Sequence, residues 1–134
     1  MKESQYLHFE SSVGKRLISV AEVVEVIPMV LLQREASDVH QQNFCGLLNF
    51  RGNIVPVFNL SAYEQSSCLA ISNHLIIAST EAGLVGIVAL EVDYLVDIQA
   101  TDLRDVSPTQ GQSFMVAKID SDMVRIVSAT EFIR

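Results

Sequence analysis

The sequence CGLLNFRGNIVPVFNL, residues 45–60, contains two apolar runs separated by Arg51, Gly52 and Asn53. The β-branched and aromatic residues on both sides favour strands, and a Gly-Asn pair can adopt the positive φ that a tight turn requires. The stretch therefore predicts a β-hairpin with its turn at Gly52-Asn53. Pro56 has no N–H to donate to a sheet, so it predicts an edge strand or a bulge at that position.

A weak internal repeat includes this hairpin. At an offset of about 69 residues, Gly14 aligns with Gly83 and Glu22 with Glu91, a kind of self-similarity that indicates duplicated units. The second run of the hairpin aligns in the same way with residues 123–127. The repeat favours two similar subdomains.

Further short apolar segments have the composition of strands and are separated by turn residues. They are residues 6–10, 17–20, 23–28, 74–80, 84–90, 94–99, 114–119 and 123–128. Only the polar segments 38–44 and 61–65 indicate short helical turns, and residues 101–113 are predicted as a polar loop. This pattern predicts an all-β fold of two SH3-like, five-stranded barrels packed together.

At 134 residues the chain is expected to form a single domain, residues 1–134, with approximate subdomains 1–66 and 70–134. This division allows strands to be exchanged between the two barrels. The segment between the halves is short and has no Pro- or Gly-rich linker character, so we expect the barrels to pack against each other.

The charge balance excludes several classes of partner. Nine basic residues stand against 16 acidic ones, for a net charge of −7 without a basic run. Nucleic acid is not an expected partner, because its binding relies on Lys and Arg neutralising phosphates. An anionic membrane surface is disfavoured for the same reason. The two cysteines, Cys45 and Cys68, are interpreted as buried thiols in a reducing compartment, with a disulfide or a metal site as the less favoured alternatives.

No secretory signal and no apolar run of membrane-spanning length occur in the sequence, so we expect a cytoplasmic protein without direct membrane insertion. Hydrophobic residues make up 49% of the chain. This fraction is high for a small soluble domain, and it indicates apolar surface available to a partner.

Residues for catalysis or for a cofactor are not apparent. His8 and His74 lie in strand-like runs and His40 in a polar segment, none with a second ligand at the spacing of a zinc site. No phosphate-binding loop or hydrolase motif is present. The sequence therefore predicts a noncatalytic protein without cofactor or metal, in which these histidines are structural or face solvent.

One charged pair needs an explanation. Glu25 lies in the apolar run 23–28, where alternation places it on the same face as Val23 and Ile27. A carboxylate on an apolar strand favours a cation as partner, and Arg51 favours an anion for the same reason. We expect the two to pair; the alternative is that both face solvent.

Residues 46–60 resemble the signature of CheW-like domains, which consists of a glycine, two apolar positions, Asn-Leu-Arg-Gly, a variable residue, apolar-Val-Pro-Val and Asp-Leu. Residues 6–28 and 84–98 are similar to two further segments of that family, so the resemblance covers nearly the whole chain. Phe50 and Asn59 replace the usual Leu and Asp, and residues 31–43 lack the proline-rich loop common in the family. These departures suggest an auxiliary or divergent member.

The resemblance implies two SH3-like barrels and a noncatalytic adaptor in a chemosensory pathway. The implied partners are the regulatory domain of a CheA-type histidine kinase and the cytoplasmic tip of a chemoreceptor, which would recruit the protein to membrane receptor arrays. The receptor groove of the family lies between the barrels. By position, the residues implied to bind a partner or to organise the site are Val23, Glu25, Gly46, Arg51 and Gly52. The alternative function is a ligand- or peptide-binding β-barrel module without a kinase partner.

Overall fold

The computed structural model describes residues 3–32, 44–60 and 73–132, and strands make up most of this part of the chain. The strands are β1 (Glu3–Ser11), β2 (Gly14–Ser19), β3 (Val23–Pro28), β4 (Phe44–Phe50), β5 (Asn53–Phe58), β6 (His74–Thr80), β7 (Gly83–Ala89), β8 (Glu91–Gln99), β9 (Leu103–Val106), β10 (Phe114–Ile119) and β11 (Asp122–Val127). Short 3₁₀ turns span Val20–Glu22, Ala100–Asp102 and Ala129–Phe132. The predicted all-β class is confirmed. The helical turns predicted at 38–44 and 61–65 lie outside the described residues, except that Phe44 is the first residue of β4.

The strands form two sheets, and each sheet combines strands from both halves of the chain. One has six strands in the order β8-β1-β2-β11-β10-β9, and the other has five in the order β3-β6-β7-β5-β4. The hairpin β1–β2 therefore pairs with late strands, and β6–β7 pairs with early ones. The division into subdomains 1–66 and 70–134 stays a prediction.

The sixth strand comes from the segment predicted as a polar loop. Residues 103–106 of that segment form β9, which pairs with β10 alone at the edge of the sheet. Arg104 and Asp105 of β9 are exposed. An edge strand with one solvated face contains few apolar residues. The sequence pattern therefore did not indicate β9.

Pairing between strands repeats at the same offset as the sequence. Val57 of β5 pairs with Gly86 of β7 in a parallel ladder, and Leu17 of β2 pairs with Ile126 of β11 in the other parallel ladder. Every other ladder between the described strands is antiparallel. Leu17 is equivalent to Gly86 in the repeat and Ile126 to Val57, so the two ladders are equivalent.

The turns of the first hairpin in each half also match. Ser11 Oγ donates to the carbonyl of Gly14 over 2.7 Å, and Thr80 Oγ1 donates to the carbonyl of Gly83 over 2.8 Å. Both glycines have positive φ, 117° and 128°, which residues with a Cβ rarely adopt. The duplication read from the sequence is thus present in the local backbone geometry.

Three apolar clusters form the core of the described part of the chain. One lies on the five-stranded sheet and includes Leu48, Val55, Val57, Leu75, Ile77 and Val88. A second fills the six-stranded sheet with Leu17, Ile98, Ala117 and Val124. The third lies between the sheets and contains Leu7, Phe9, Ile18, Phe58, Ile76, Val85, Ile87 and Val127. The hairpins β1–β2 and β6–β7 contribute to the middle cluster and to the interior of a sheet, which explains their continuous apolar runs.

The turn of the β4–β5 hairpin is placed one residue earlier than the sequence predicted. Arg51 and Gly52 are the turn residues, with φ of 51° and 84°, while Asn53 is the first residue of β5 and pairs with Phe50. A two-residue turn with positive φ at both positions matches the right-handed twist of the strands. The amide of Gly52 donates to Oδ1 of Asn49 over 3.0 Å, which fixes the turn.

Pro56 was predicted on an edge strand or at a bulge, and the edge strand is wrong because β5 is internal. Pro56 pairs with Leu47, next to the β4 bulge between Phe44 and Gly46. β5 has β7 on one side and β4 on the other. The ladder with β7 includes only Val57 and Phe58. Pro56 therefore lies just before that ladder begins, where its missing N–H removes no hydrogen bond to β7.

Cys45 is buried in the interior of the five-stranded sheet, as predicted. It is disulfide-bonded, however, so its interpretation as a free thiol is wrong. Cys68, the other cysteine of the sequence, lies outside the described residues.

Candidate functional site

The predicted pair of Glu25 and Arg51 forms. Arg51 Nη2 donates to Glu25 Oε1, and the Arg51 guanidinium also lies over the Phe50 ring at 4.8 Å. Glu25 is on β3 and Arg51 is in the turn after β4, and β3 and β4 are the two edge strands of the five-stranded sheet. The ion pair thus links opposite edges of this sheet, which curls to bring them together. Both side chains remain accessible, Arg51 at 66% and Glu25 at 37%.

A β-bulge at Val24 changes which residues share a face of β3. Val23 pairs with Ala78 and Glu25 with Ile77, so Val24 is the extra residue. Val23 packs in the cluster between the sheets, whereas Ile27 packs inside the five-stranded sheet. Glu25 follows the bulge and shares the face of Ile27. The prediction that Val23 lies on the same face as Glu25 is therefore wrong, because one extra residue reverses the alternation.

The two predicted glycines have different roles in the hairpin. Gly52 is exposed in the turn next to Arg51, and a Cβ there would meet no atom within 4 Å. Gly46 is buried in β4 with φ of 151°, beside a bulge that falls between Phe44 and Gly46. Gly52 is therefore part of the accessible surface near the ion pair, whereas Gly46 shapes the strand that supports it.

Two exposed apolar side chains are close in sequence to Glu25 and Arg51. Val24, at the bulge, is 46% exposed, and Ile54, the second residue of β5, is 62% exposed. Ile54 also borders a shallow depression of about 370 Å³ together with Pro56 and Leu84. We call Val24, Glu25, Arg51, Gly52 and Ile54 the Glu25–Arg51 surface. It combines two formal charges with apolar area, as protein-binding surfaces do.

His8 lies on β1 and His74 on β6. His8 is buried, its Nδ1 lies 2.8 Å from Asp93 Oδ2, and its ring stacks on Tyr94 with centroids 4.6 Å apart. This is a structural contact between β1 and β8. His40 lies outside the described residues. Where side chains are described, no three His, Cys, Asp or Glu residues are grouped as a metal site requires.

Two arrangements of polar residues in the structure were not predicted from the sequence. Glu22 Oε1 accepts hydrogen bonds from the Ala129 amide over 2.7 Å and from Ser128 Oγ over 3.1 Å, which fixes the last 3₁₀ turn. Arg16 and Arg125 are register partners on β2 and β11 and line one cavity. Nothing in the local sequence indicates either arrangement, because the residues are more than 100 positions apart in the chain.

No helix in the described segments is both long and apolar enough to cross a membrane. No curated protein sequence is similar enough to this chain to count as a match. A solved structure is similar in fold, that of the scaffolding protein TtCheW from Thermoanaerobacter tengcongensis, with a TM-score of 0.76 and 18% sequence identity. The alignment covers 94% of this chain and 84% of that one. Residues 5–134 match the sequence profile of the CheW-like domain. The chain therefore belongs to the CheW-like domain family.

Proposed function

We propose that this protein is a noncatalytic adaptor that couples the cytoplasmic tips of chemoreceptors to a CheA-type histidine kinase. The observation that carries the proposal is the match of residues 5–134 to the CheW-like domain. The similar fold of a protein described as a scaffolding protein supports it. In this role the protein works in the cytoplasm at membrane receptor arrays and binds neither nucleic acid nor a cofactor.

The Glu25–Arg51 surface is the proposed receptor contact. A receptor tip is helical, and an amphipathic helix binds by placing its apolar face on apolar side chains. Val24 and Ile54, close in sequence to Glu25 and Arg51, supply exposed apolar area, and the Arg51 side chain is largely accessible. Arginine at such a position can make charge-assisted hydrogen bonds to a carboxylate of the partner. Gly46 and Val23 support this surface from within the fold.

The backbone conformation of Arg51 supports a functional role for its side chain. Its φ of 51° lies in the left-handed region, which disfavours residues other than Gly, Asn and Asp. The equivalent turn residue of the repeat, Asp120, has a φ of 56° and is a residue type that tolerates it. An arginine at a position where the backbone disfavours it supports a role for its side chain.

Direct binding tests the proposal. The full chain is titrated with a chemoreceptor tip fragment and, separately, with the regulatory domain of a CheA-type kinase from the same genome. We expect both to bind and Arg51→Ala to lose receptor affinity, whereas Arg104→Ala, which removes an exposed arginine of β9, keeps it. If the folded protein binds neither partner, the proposal is wrong.

A further inference from the structure

A cavity of about 550 Å³ lies on the six-stranded sheet, whereas Glu25 and Arg51 belong to the five-stranded sheet and its β4–β5 turn. Its floor is formed by β2 and β11, one wall by the loop 107–113, and another by the 3₁₀ turn Ala129–Phe132. The volume is in the range of small-molecule sites.

Two arginines converge in this cavity. Arg16 of β2 and Arg125 of β11 are direct partners in the parallel ladder, and both line the cavity. Burial lowers the pKa of Arg16, the nearby charge of Arg125 lowers it further, and Glu131 acts in the opposite direction. Two like charges on neighbouring strands repel each other unless an anion lies between or beside them. The protein as a whole carries a net charge of −7, so this local positive excess is not a general property of its surface.

Within the described residues, only some of the N–H donors of these two guanidinium groups have a hydrogen-bond acceptor. Arg16 Nη1 donates to the carbonyl of its neighbour Lys15 over 2.8 Å. Arg125 Nη2 lies 3.9 Å from Glu131 Oε1, which is beyond hydrogen-bond distance. The Nε atom of Arg125 is buried and has no hydrogen-bond partner among the described residues. A buried donor without a partner is unfavourable, and a ligand acceptor would satisfy it.

Glu131 neutralises at most one of the two charges, and one of its oxygens is engaged elsewhere. Its Oε2 accepts the Ser128 amide over 2.7 Å, as in a capping box at the start of the 3₁₀ turn. Among the described residues, the cavity lining thus contains two guanidinium groups and one carboxylate, which gives these residues a formal charge of +1.

Much of the remaining cavity lining is apolar, so it can contact the apolar part of a ligand. The Arg125 guanidinium lies over the Phe114 ring at 4.1 Å, and this cation–π contact restricts where the guanidinium can move. Leu60, Val127 and Phe132 add apolar surface, and Gln112 in the loop offers an amide. A planar guanidinium favours bidentate recognition of a carboxylate or a phosphate.

We propose that this cavity is a binding site for a small organic anion, which places a carboxylate or phosphate group between Arg16 and Arg125 and an apolar body against Phe114 and Phe132. The inference does not depend on the proposed adaptor function, because these arginines lie on the six-stranded sheet and the Glu25–Arg51 surface lies on the other one.

NMR titration of the full chain tests the site, with the arginine Nε–H resonances as the readout. The probes are benzoate, phenyl phosphate and inorganic phosphate; benzoate and phenyl phosphate distinguish a carboxylate site from a phosphate site. We expect saturable shifts of the Arg16 and Arg125 signals with a dissociation constant at or below about 1 mM for one aromatic anion, and weaker binding of inorganic phosphate.

Variants whose folds are verified by circular dichroism distinguish anion binding in the cavity from nonspecific binding to positive surface charge. Arg16→Gln and Arg125→Gln should each weaken binding about tenfold or more, whereas Arg104→Gln on β9 should not change it. Should a Gln variant fail to fold, Arg16→Lys and Arg125→Lys keep the charge but lose the planar fork, and they should also weaken binding. The proposal is overturned if no probe gives saturable shifts, or if Arg104→Gln weakens binding as much as the cavity variants do.

Discussion

Arg51 donates a hydrogen bond to Glu25, and this contact joins the β4–β5 turn to β3 across the two edges of the five-stranded sheet. Closing a curled sheet at its edges limits the exposure of unpaired backbone groups. Because both side chains are accessible, the pair also presents its charges to solvent and to any partner.

Substitution of this pair should have little effect on folding. Exposed ion pairs contribute about 0 to 1 kcal/mol, so Glu25→Gln and Arg51→Gln should each lower the free energy of unfolding by no more than that. Denaturant titration measures it, and a double-mutant cycle at low and high salt isolates the pair. A loss of several kcal/mol for either variant would show that the pair acts as a buried one, contrary to its accessibility.

Gly86→Ala should destabilise the protein. A Cβ at this position would lie 3.0 Å from Val57 Cγ2, where the parallel ladder brings β7 and β5 together. Overpacking of this kind costs about 1–3 kcal/mol. The thermal midpoint of Gly86→Ala reports the loss, and Ser79→Ala, on the exposed face of β6, is the control.

The source of that loss can be checked in the background of Val57→Ala, which removes the Cγ2 atom. There Gly86→Ala should cost less than it does in the unchanged chain, since the clash is gone. An equal cost in both backgrounds would mean that the clash with Val57 is not the cause.

Glu22 should stabilise the last 3₁₀ turn through its acceptor oxygen. In Glu22→Ala the amide of Ala129, a fully buried residue, loses its partner, so the free energy of unfolding should fall by about 1–3 kcal/mol. Glu22→Gln keeps an acceptor oxygen and should lose less than half as much. Equal losses in the two variants would indicate that the charge, and not the hydrogen bond, is important.

Local patterns were sufficient to predict much of the strand content. β3 and β6 have the predicted bounds, because β-branched residues concentrate there and turn residues flank them. The repeat also predicted two related units, and the matching turns at Gly14 and Gly83 have the same hydrogen bonds. These features depend on neighbours in the chain.

Features that depend on distant residues could not be predicted in this way. The bulge at Val24 shifts the register of β3 against β6, yet the sequence around it alternates equally well without a bulge. The pairing of β2 with β11 brings Arg16 beside Arg125, and no local pattern indicates that partnership. The Glu25–Arg51 contact could be predicted because each charged residue is flanked by apolar residues in the sequence. The exposure of the pair could not, because it depends on how the sheet curls.

Arg51→Asn separates the contribution of this residue to folding from its contribution to binding. Asn tolerates the positive φ of 51° better than Arg does, so the substitution relieves roughly 1 kcal/mol of backbone strain while it removes an exposed ion pair of similar size. The free energy of unfolding should therefore stay unchanged or rise slightly. Denaturant titration beside the unchanged chain gives this value.

Calorimetric titration of Arg51→Asn with a chemoreceptor tip fragment tests directly whether the Glu25–Arg51 surface is the receptor contact, with Arg104→Asn as the matched control. We expect Arg51→Asn to lose about tenfold or more in affinity at unchanged stability, and Arg104→Asn to bind as the unchanged chain does. Equal affinity of Arg51→Asn and the unchanged chain would contradict the Glu25–Arg51 surface as the receptor contact.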